Sequence, residues 1–135
     1  MTLDPYAAVI AAEPYFEALG LRTCAAIDPA ETRPWFVLPA AEHHIGDARY
    51  RTVHGGVVAA FLECAAVITL RAEGSESPGT VVFTTDFVRG ARMLDTFAKV
   101  EVIRRGRRLA HLRVDAWQER PQRLVAFGAG SFTLT

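Results

Sequence analysis

The sequence lacks the features that would mark a secreted, metal-binding or nucleic-acid-binding protein. Its only two cysteines, Cys24 and Cys64, lie in separate apolar segments without the spacing of metal ligands. We therefore expect buried free thiols in a reducing compartment. Neither sign of charge is in excess, because 15 Lys and Arg residues balance 15 Asp and Glu residues. The net field gives no reason to expect a nucleic acid or an anionic membrane as a partner.

Long hydrophobic runs are also missing. The longest, residues 57–70, is interrupted by Glu63 and is shorter than the about 20 residues that a membrane-spanning helix needs. The first fifteen residues contain acids and prolines and lack both a basic start and an apolar core, so they do not resemble a signal peptide. We therefore predict a cytoplasmic protein without a membrane anchor.

The chain has the size and composition of one domain. Half of its 135 residues are hydrophobic, and no repeat, low-complexity tract or linker divides it. That is enough apolar surface for one core. We predict a single domain over residues 1–135.

Local patterns predict a short N-terminal helical arm, a strand, a buried helix and four more strands. The arm is broken near Pro14 and ended by Gly20. Residues 21–38 are predicted as one long or split strand and residues 39–53 as a loop. The helix over residues 57–71 is apolar on every side, which is typical of a helix covered all round. The later strands are predicted at 80–88, 96–103, 108–117 and 124–134.

The later strands indicate a sheet with one buried face. In residues 108–117 apolar and polar side chains alternate, as they do when one face is buried and the other is wet. Hairpin turns are predicted at 105–107 and 119–123. One curved antiparallel sheet wrapped around a central helix buries all of these segments, so we predict the α+β class.

Glu63 is the only ionisable residue in the apolar run of the central helix. Leaving a carboxylate dry and unpaired costs several kcal/mol, so it must be partnered, protonated or facing a cleft. The last two states describe a general base or a nucleophile. An equal alternative is a structural glutamate that faces solvent or pairs with an arginine at a subunit contact.

The tripeptide His54-Gly55-Gly56 precedes this helix. Free backbone N–H groups and the positive end of the helix dipole can stabilise an oxyanion there. Glycines also allow a carbonyl to approach closely. A simple helix-start turn is the alternative, and the more frequent one.

Spacing links Gly55 to Glu63. The two residues are eight positions apart, which places them roughly 12 Å apart along one helix. Reacting atoms must meet within about 3.5 Å. A shared reaction therefore requires Glu63 from a second subunit whose helix runs antiparallel, and the catalytic interpretation predicts a two-fold dimer with two identical sites.

The segment "HGGVVAAFLE" resembles the signature of hotdog-fold acyl-CoA thioesterases, in particular the phenylacetate-degradation-type (PaaI-like) group. "EHHIGDARYRTVHGG" resembles the loop before the family's central helix, "TVVFTTDFVRGAR" the strand after it, and "VEVIRRGRRLAHLRVDAW" the next hairpin. The resemblance covers nearly all of the chain from about Leu19 onward. It implies the hotdog fold and hydrolysis of an acyl-CoA thioester without a cofactor.

The resemblance also implies roles for individual residues. The Gly55 N–H would polarise the thioester carbonyl, while Gly56 shapes the same turn and His54 helps to fix the loop. Glu63 would attack the carbonyl or activate a water. Thr80 would orient the acid or the water, with an ordinary strand threonine as the equal alternative.

Two positions depart from the family pattern. Many relatives carry an asparagine six residues before the histidine and a glycine three before it, where this chain has Ala48 and Arg51. Asp47 is the candidate replacement for the asparagine, although an ionised acid repels another carboxylate and cannot donate a hydrogen bond. These departures favour a non-catalytic acyl-CoA-binding or ligand-sensing hotdog protein as the alternative function. A hydratase fits less well, since such enzymes usually pair an aspartate with a histidine near the helix start.

Two arginine groups are candidates for binding the phosphates of coenzyme A, because guanidinium groups form paired hydrogen bonds with phosphate. They are Arg104, Arg105, Arg107 and Arg108 around Gly106, and Arg89 and Arg92 after the strand ending at Val88. A solvated hairpin tip is the equal alternative for the first group. The doublet His43-His44 has no third strong ligand at a recognised spacing, so we predict no metal site. The acyl group and the choice between a dimer and a dimer of dimers are left open.

Overall fold

The computed structural model of the protein describes residues 4–135, and it is an α+β structure with one long helix against a six-stranded sheet. The first three residues of the N-terminal segment lie outside this range. The elements in chain order are α1 (Pro5–Ala11), α2 (Pro14–Leu19), β1 (Arg22–Cys24), β2 (Trp35–Leu38), a 3-10 turn (Glu42–His44), β3 (Ile45–Asp47), β4 (Thr52–Val53), α3 (Gly55–Ala72), β5 (Gly79–Phe87), β6 (Thr96–Arg105), β7 (Leu109–Trp117) and β8 (Leu124–Thr133).

The N-terminal arm forms two helices whose ends follow from local chemistry. The Asp4 carboxylate accepts a hydrogen bond from the Tyr6 N–H at 2.9 Å and caps α1, which has proline in its first turn. Pro14 begins α2, and Gly20 ends it with a φ of +80°, the left-handed conformation that glycine adopts without strain. The predicted break at Pro14 and end at Gly20 are confirmed.

The sheet is antiparallel, and its strand order is β1-β2-β6-β7-β8-β5. The predicted strand over residues 21–38 is split into β1 and β2, which pair with each other. The four later strands are confirmed within two residues, and so are the two hairpins. The segment predicted as a loop over residues 39–53 contains the short β3–β4 hairpin instead. β5 follows α3 in the chain but pairs with β8, so it forms one edge of the sheet.

The core lies between α3 and the inner face of the sheet. Ala110, Leu112, Val114 and Ala116 of β7 are all 0% exposed, which confirms the predicted alternation. Phe61 and Leu62 of α3 are 0% exposed as well and pack into the same cluster. Contacts of this kind supply most of the stability of a small domain.

The central helix is buried on every side only in its C-terminal half, at Cys64, Ala65, Ala66, Ile68, Thr69 and Leu70. By length and composition α3 could cross a membrane, but half of that window is buried against the sheet and the arm. Its opposite side is exposed or partly exposed at Gly55, Gly56, Ala59, Ala60, Glu63 and Val67. The expectation of a helix covered all round therefore holds for the C-terminal half of α3, on which α1 packs, and is wrong for the N-terminal half.

The end of α3 is tied to the arm by a charged cluster. Glu73 accepts hydrogen bonds from Arg33 Nε at 2.7 Å and Nη2 at 2.9 Å, and from the Tyr6 hydroxyl at 2.5 Å. Burial alone would raise the pKa of the Glu73 carboxyl, but these bonds outweigh it and the pKa lies below its usual value. The cluster therefore holds α1 and the β1–β2 loop against the helix.

Candidate active site

The start of α3 carries one unused backbone donor. His54 Nδ1 accepts a hydrogen bond from the Gly56 N–H at 2.8 Å, and the His54 carbonyl accepts from the N–H groups of Val57 and Val58. A Cβ on Gly56 would lie only 3.0 Å from His54 Nδ1, so glycine makes room for the imidazole. Within residues 4–135 the Gly55 N–H has no hydrogen-bond partner. That donor, at the positive end of the helix dipole, is available to an oxyanion.

Gly55 opens onto a cleft of about 360 Å³. The Phe87 ring at the end of β5 forms one wall of this cleft and lies 3.6 Å from the position that a Gly55 Cβ would take. Arg89 lines the same cleft, and its side chain is exposed. The Gly55 donor can thus be reached from solvent, and the Arg89 cation lines the same cleft.

Glu63 lies at a different cleft, of about 290 Å³, between α2 and α3. The Thr80 hydroxyl donates to Glu63 Oε2 at 3.0 Å. Glu63 is partly buried, and no ion pair within the described part of the chain involves it. The threonine holds one carboxylate oxygen and leaves the other free to act as a base or nucleophile.

Cys64, which also lines this cleft, is a thiol with a raised pKa. Burial, together with the neighbouring Glu63 carboxylate, raises the pKa of the Cys64 thiol to about 12. The reactive thiolate is therefore scarce at neutral pH. Burial, Cys64 and Glu63 likewise raise the pKa of the Tyr15 hydroxyl, so Tyr15 also stays neutral.

A single chain contains two predicted half-sites and keeps them apart. Gly55 lies beside Phe87 at one end of β5, whereas Glu63 is bonded to Thr80 at the other end. The helical rise keeps Gly55 and Glu63 roughly 12 Å apart, and they line separate clefts. The structure of one chain does not bring the two groups to a common carbonyl.

The loop before the helix is built differently from the family pattern. Asp47 Oδ1 accepts from the Arg49 N–H at 2.9 Å, so this carboxylate caps its own turn. Arg51 has a φ of +49°, in the left-handed region where glycine is unstrained. Here Arg51 adopts that conformation and pairs with Glu42 at 2.8 Å. Ala48 is exposed and offers no polar side chain.

The two arginine groups lie at opposite ends of the sheet in one subunit. The β6–β7 hairpin tip, with Arg104, Arg105, Arg107 and Arg108, lies near the start of β5, because Thr133 pairs with both Leu109 and Gly79. Arg89 and Arg92 follow the other end of β5. Arg92 is engaged with the Glu119 carboxylate. Arg89 is therefore the candidate cation nearest to Gly55.

The histidine doublet has a structural role that the sequence pattern did not reveal. His43 Nε2 and His44 Nε2 each donate, at 2.9 Å, to consecutive carbonyls at the end of α2, those of Ala18 and Leu19. His44 is 1% exposed, and burial lowers the pKa of its imidazole. Within residues 4–135 no three His, Cys, Asp or Glu side chains form a cluster able to hold a metal. The sequence signal for this role is the end of α2, because the last carbonyls of a helix have no donor within the helix and need one from elsewhere.

Comparisons with known proteins give one consistent answer. Residues 50–125 match the family model of the thioesterase superfamily. Among curated proteins no match was found. A solved protein from Chromobacterium violaceum is 31% identical, covering 96% of this chain and 89% of that one, with a TM-score of 0.73.

Two further solved structures share the fold at lower identity. A mutant of the phenylacetic acid degradation protein PaaI from Thermus thermophilus is 23% identical over 91% of this chain and 100% of that one, with a TM-score of 0.73. A protein described as coming from the thioesterase superfamily is 21% identical over 98% of both chains, with a TM-score of 0.85.

Proposed function

Because the chain belongs to the thioesterase superfamily and has its hotdog fold, we propose that it is a cytoplasmic acyl-CoA thioesterase. It hydrolyses a CoA thioester to a carboxylic acid and free CoA, without a cofactor. The observation that carries the proposal is the Glu63 carboxylate on the central helix, which faces the cleft between α2 and α3 and accepts a hydrogen bond from the Thr80 hydroxyl at 3.0 Å.

The proposed reaction uses two groups from two subunits. The Gly55 N–H donates to the thioester oxygen as it becomes an oxyanion. Glu63 of the partner subunit either takes a proton from an attacking water or attacks the carbonyl itself, after which water releases the acid. The C–S bond breaks and CoA leaves as the thiol. Thr80 keeps the reacting carboxylate in one orientation, so fewer orientations of the Glu63 side chain are sampled before the productive one.

The uncovered surfaces of one subunit support a two-fold dimer. The exposed side of α3 is lined by small residues, among them Gly56, Ala59 and Ala60, which allow a second helix to approach closely. Beside it runs β5, whose outer edge has no pairing partner within the described chain. Val82 of β5 is 52% exposed and Phe87 57%. An unpaired apolar edge is a template for pairing with another chain.

The half-sites define where the two-fold axis lies. The partner's Glu63 must reach Gly55, so the partner's Thr80, which holds that carboxylate, must come beside Phe87. The bulge between Thr80 and Val82 takes up one residue of this register, so the axis passes near the middle of β5, at Thr84. The same rotation brings the partner's β6–β7 hairpin to the end of the sheet that carries Arg89. Both arginine groups then face one CoA, although they are far apart in a single chain.

A thiol-release assay across short, long and aromatic acyl-CoAs tests the activity, and light scattering tests the assembly. We expect turnover and a dimer or a dimer of dimers at micromolar concentration. The variant Thr84→Cys should form a disulfide-linked dimer on oxidation, because residues facing each other across antiparallel strands lie about 4.5–5.5 Å apart at Cα. Thr32→Cys, on an exposed loop away from β5, is the matched control and should not cross-link. A monomer would contradict the shared site.

Removing the hairpin charges is expected to weaken CoA binding. A variant with Arg104, Arg105, Arg107 and Arg108 changed to glutamine should raise the Michaelis constant about tenfold, the equivalent of about 1.4 kcal/mol of lost phosphate contacts. It should also reduce the salt dependence of that constant. Unchanged values would show that the arginines form a solvated hairpin tip.

The alternative function is binding of an acyl-CoA without turnover. It is favoured by the loop before α3, where Asp47 caps its own turn and Ala48 supplies no amide to position a water. Calorimetry with an acyl-CoA, run beside the thiol-release assay, separates the two functions. Binding without any release of thiol would favour the binding protein.

A further inference from the structure

We propose, building on the proposed thioesterase function, that the cleft between α2 and α3 receives the acyl group and that Tyr15 is the wall that sets the length accepted. The thioester carbonyl lies between Glu63 and the partner's Gly55, the acyl group continues into the cleft of the Glu63 subunit, and the CoA portion continues into the partner's Gly55 cleft. Each substrate therefore spans the subunit boundary.

The lining of the cleft fits an apolar chain. On α3 it consists of Ala60, Glu63, Cys64 and Val67, which are spaced as i, i+3, i+4 and i+7 and so share one side of the helix. On α2 it consists of Tyr15 and Phe16. Apart from the reacting carboxylate, every one of these side chains is uncharged at neutral pH. An acyl group that ends in a carboxylate would meet the negative charge of Glu63 and no compensating cation among the lining residues.

The size of the cleft limits the acyl group. Its volume is about 290 Å³, which is space for about ten water-sized groups at about 30 Å³ each. That matches a medium-length straight chain or a single aromatic ring. Phe16 is buried and closes the inner side, whereas Tyr15 is 54% exposed and bounds the outer side. Truncating Tyr15 should therefore lengthen the cleft toward solvent.

Contacts outside the cleft hold α2, and with it Tyr15, in place. His43 and His44 donate to the last carbonyls of α2, so the loop that leads into the Gly55 turn also fixes the helix that carries Tyr15. His54 joins the same unit, because its N–H donates to the His44 carbonyl at 2.7 Å. The histidine doublet thus positions the proposed acyl pocket relative to the oxyanion donor.

The test is an acyl-length profile, measured as kcat/KM on straight-chain acyl-CoAs from butanoyl to dodecanoyl. Tyr15→Ala should shift the profile toward longer chains by at least about tenfold relative to the short ones, the scale of one or two methylenes in an apolar pocket. Tyr15→Phe should keep the wild-type profile. Val67→Phe, which fills the cleft, should lower activity on long chains much more than on butanoyl-CoA. Ile27→Ala, an exposed apolar side chain away from the cleft, is the control.

Two outcomes separate this inference from the proposed function. A wild-type protein that hydrolyses acyl-CoAs while Tyr15→Ala and Val67→Phe keep its profile would overturn the acyl pocket and leave the thioesterase standing. If the wild type releases no thiol, affinities for thioether analogues of the same acyl-CoAs replace kcat/KM, and the same shifts are expected. A protein that neither hydrolyses nor binds the series overturns both.

Discussion

Replacing Glu63 with glutamine is expected to lower kcat for the best acyl-CoA by about two orders of magnitude or more, the scale of general-base catalysis. Glutamine keeps the size of the side chain and can still accept the Thr80 hydrogen bond, so folding should be unaffected. The Michaelis constant should change much less, because the proposed CoA contacts lie elsewhere. Steady-state thiol release with the purified Glu63→Gln protein measures both constants.

Three further variants sharpen this experiment. Glu101→Gln removes an exposed carboxylate from β6 and should leave kcat unchanged. Thr80→Val removes only the group that orients Glu63, so its effect on kcat should be smaller than that of Glu63→Gln. Asp47→Asn restores the amide of many relatives and should raise activity if this residue takes the asparagine's role. Wild-type turnover by Glu63→Gln would refute the assignment and favour the binding protein.

Replacing Phe61 with alanine is expected to cost about 3–5 kcal/mol of unfolding free energy, as for other large-to-small changes in a core. Phe61 is 0% exposed and lies on the side of α3 that faces the sheet, so its removal leaves a cavity that the surrounding strands fill only in part. The loss shows as a lower urea midpoint with little change in slope.

The same variant separates stability from substrate selection. Phe61 is close to Glu63 in sequence, yet it lines neither of the two clefts at the half-sites. The acyl-length profile of the folded Phe61→Ala protein should therefore match that of the wild type, in contrast to Tyr15→Ala. A loss below about 1 kcal/mol would contradict the assignment of Phe61 to the core.

Much of the fold could be predicted from local patterns, and the parts that could not depend on distant residues. Alternation in β7 and the glycine at position 20 are local signals with direct physical causes. The pairing of β5 with β8 could not be predicted in this way. β6 and β7 lie between these two strands in the chain, and nothing in the local sequence of a strand identifies such a distant partner. The uncovered side of α3 also escaped prediction, since an apolar helix pattern is the same whether its cover is its own chain or another.

The candidate site was also predictable from the sequence only in part. An isolated carboxylate in an apolar helix was visible in the sequence, and the structure places Thr80 against it. Tyr15 was not singled out, because its importance depends on how α2 lies across α3. The bonds of the histidine doublet to Ala18 and Leu19 were not predicted either, because they depend on a contact between segments 25 residues apart.

The open edge of β5 affects the solubility of the protein in the cell. The segment from Thr80 to Phe87 is rich in β-branched and aromatic residues and carries a single charge, Asp86. Such a segment, left uncovered, has the composition that promotes intermolecular strand addition and aggregation. A subunit of the proposed dimer is therefore at risk of aggregation until a second subunit covers this edge. Variants that block the proposed dimer would then be recognised first as insoluble protein at high concentration.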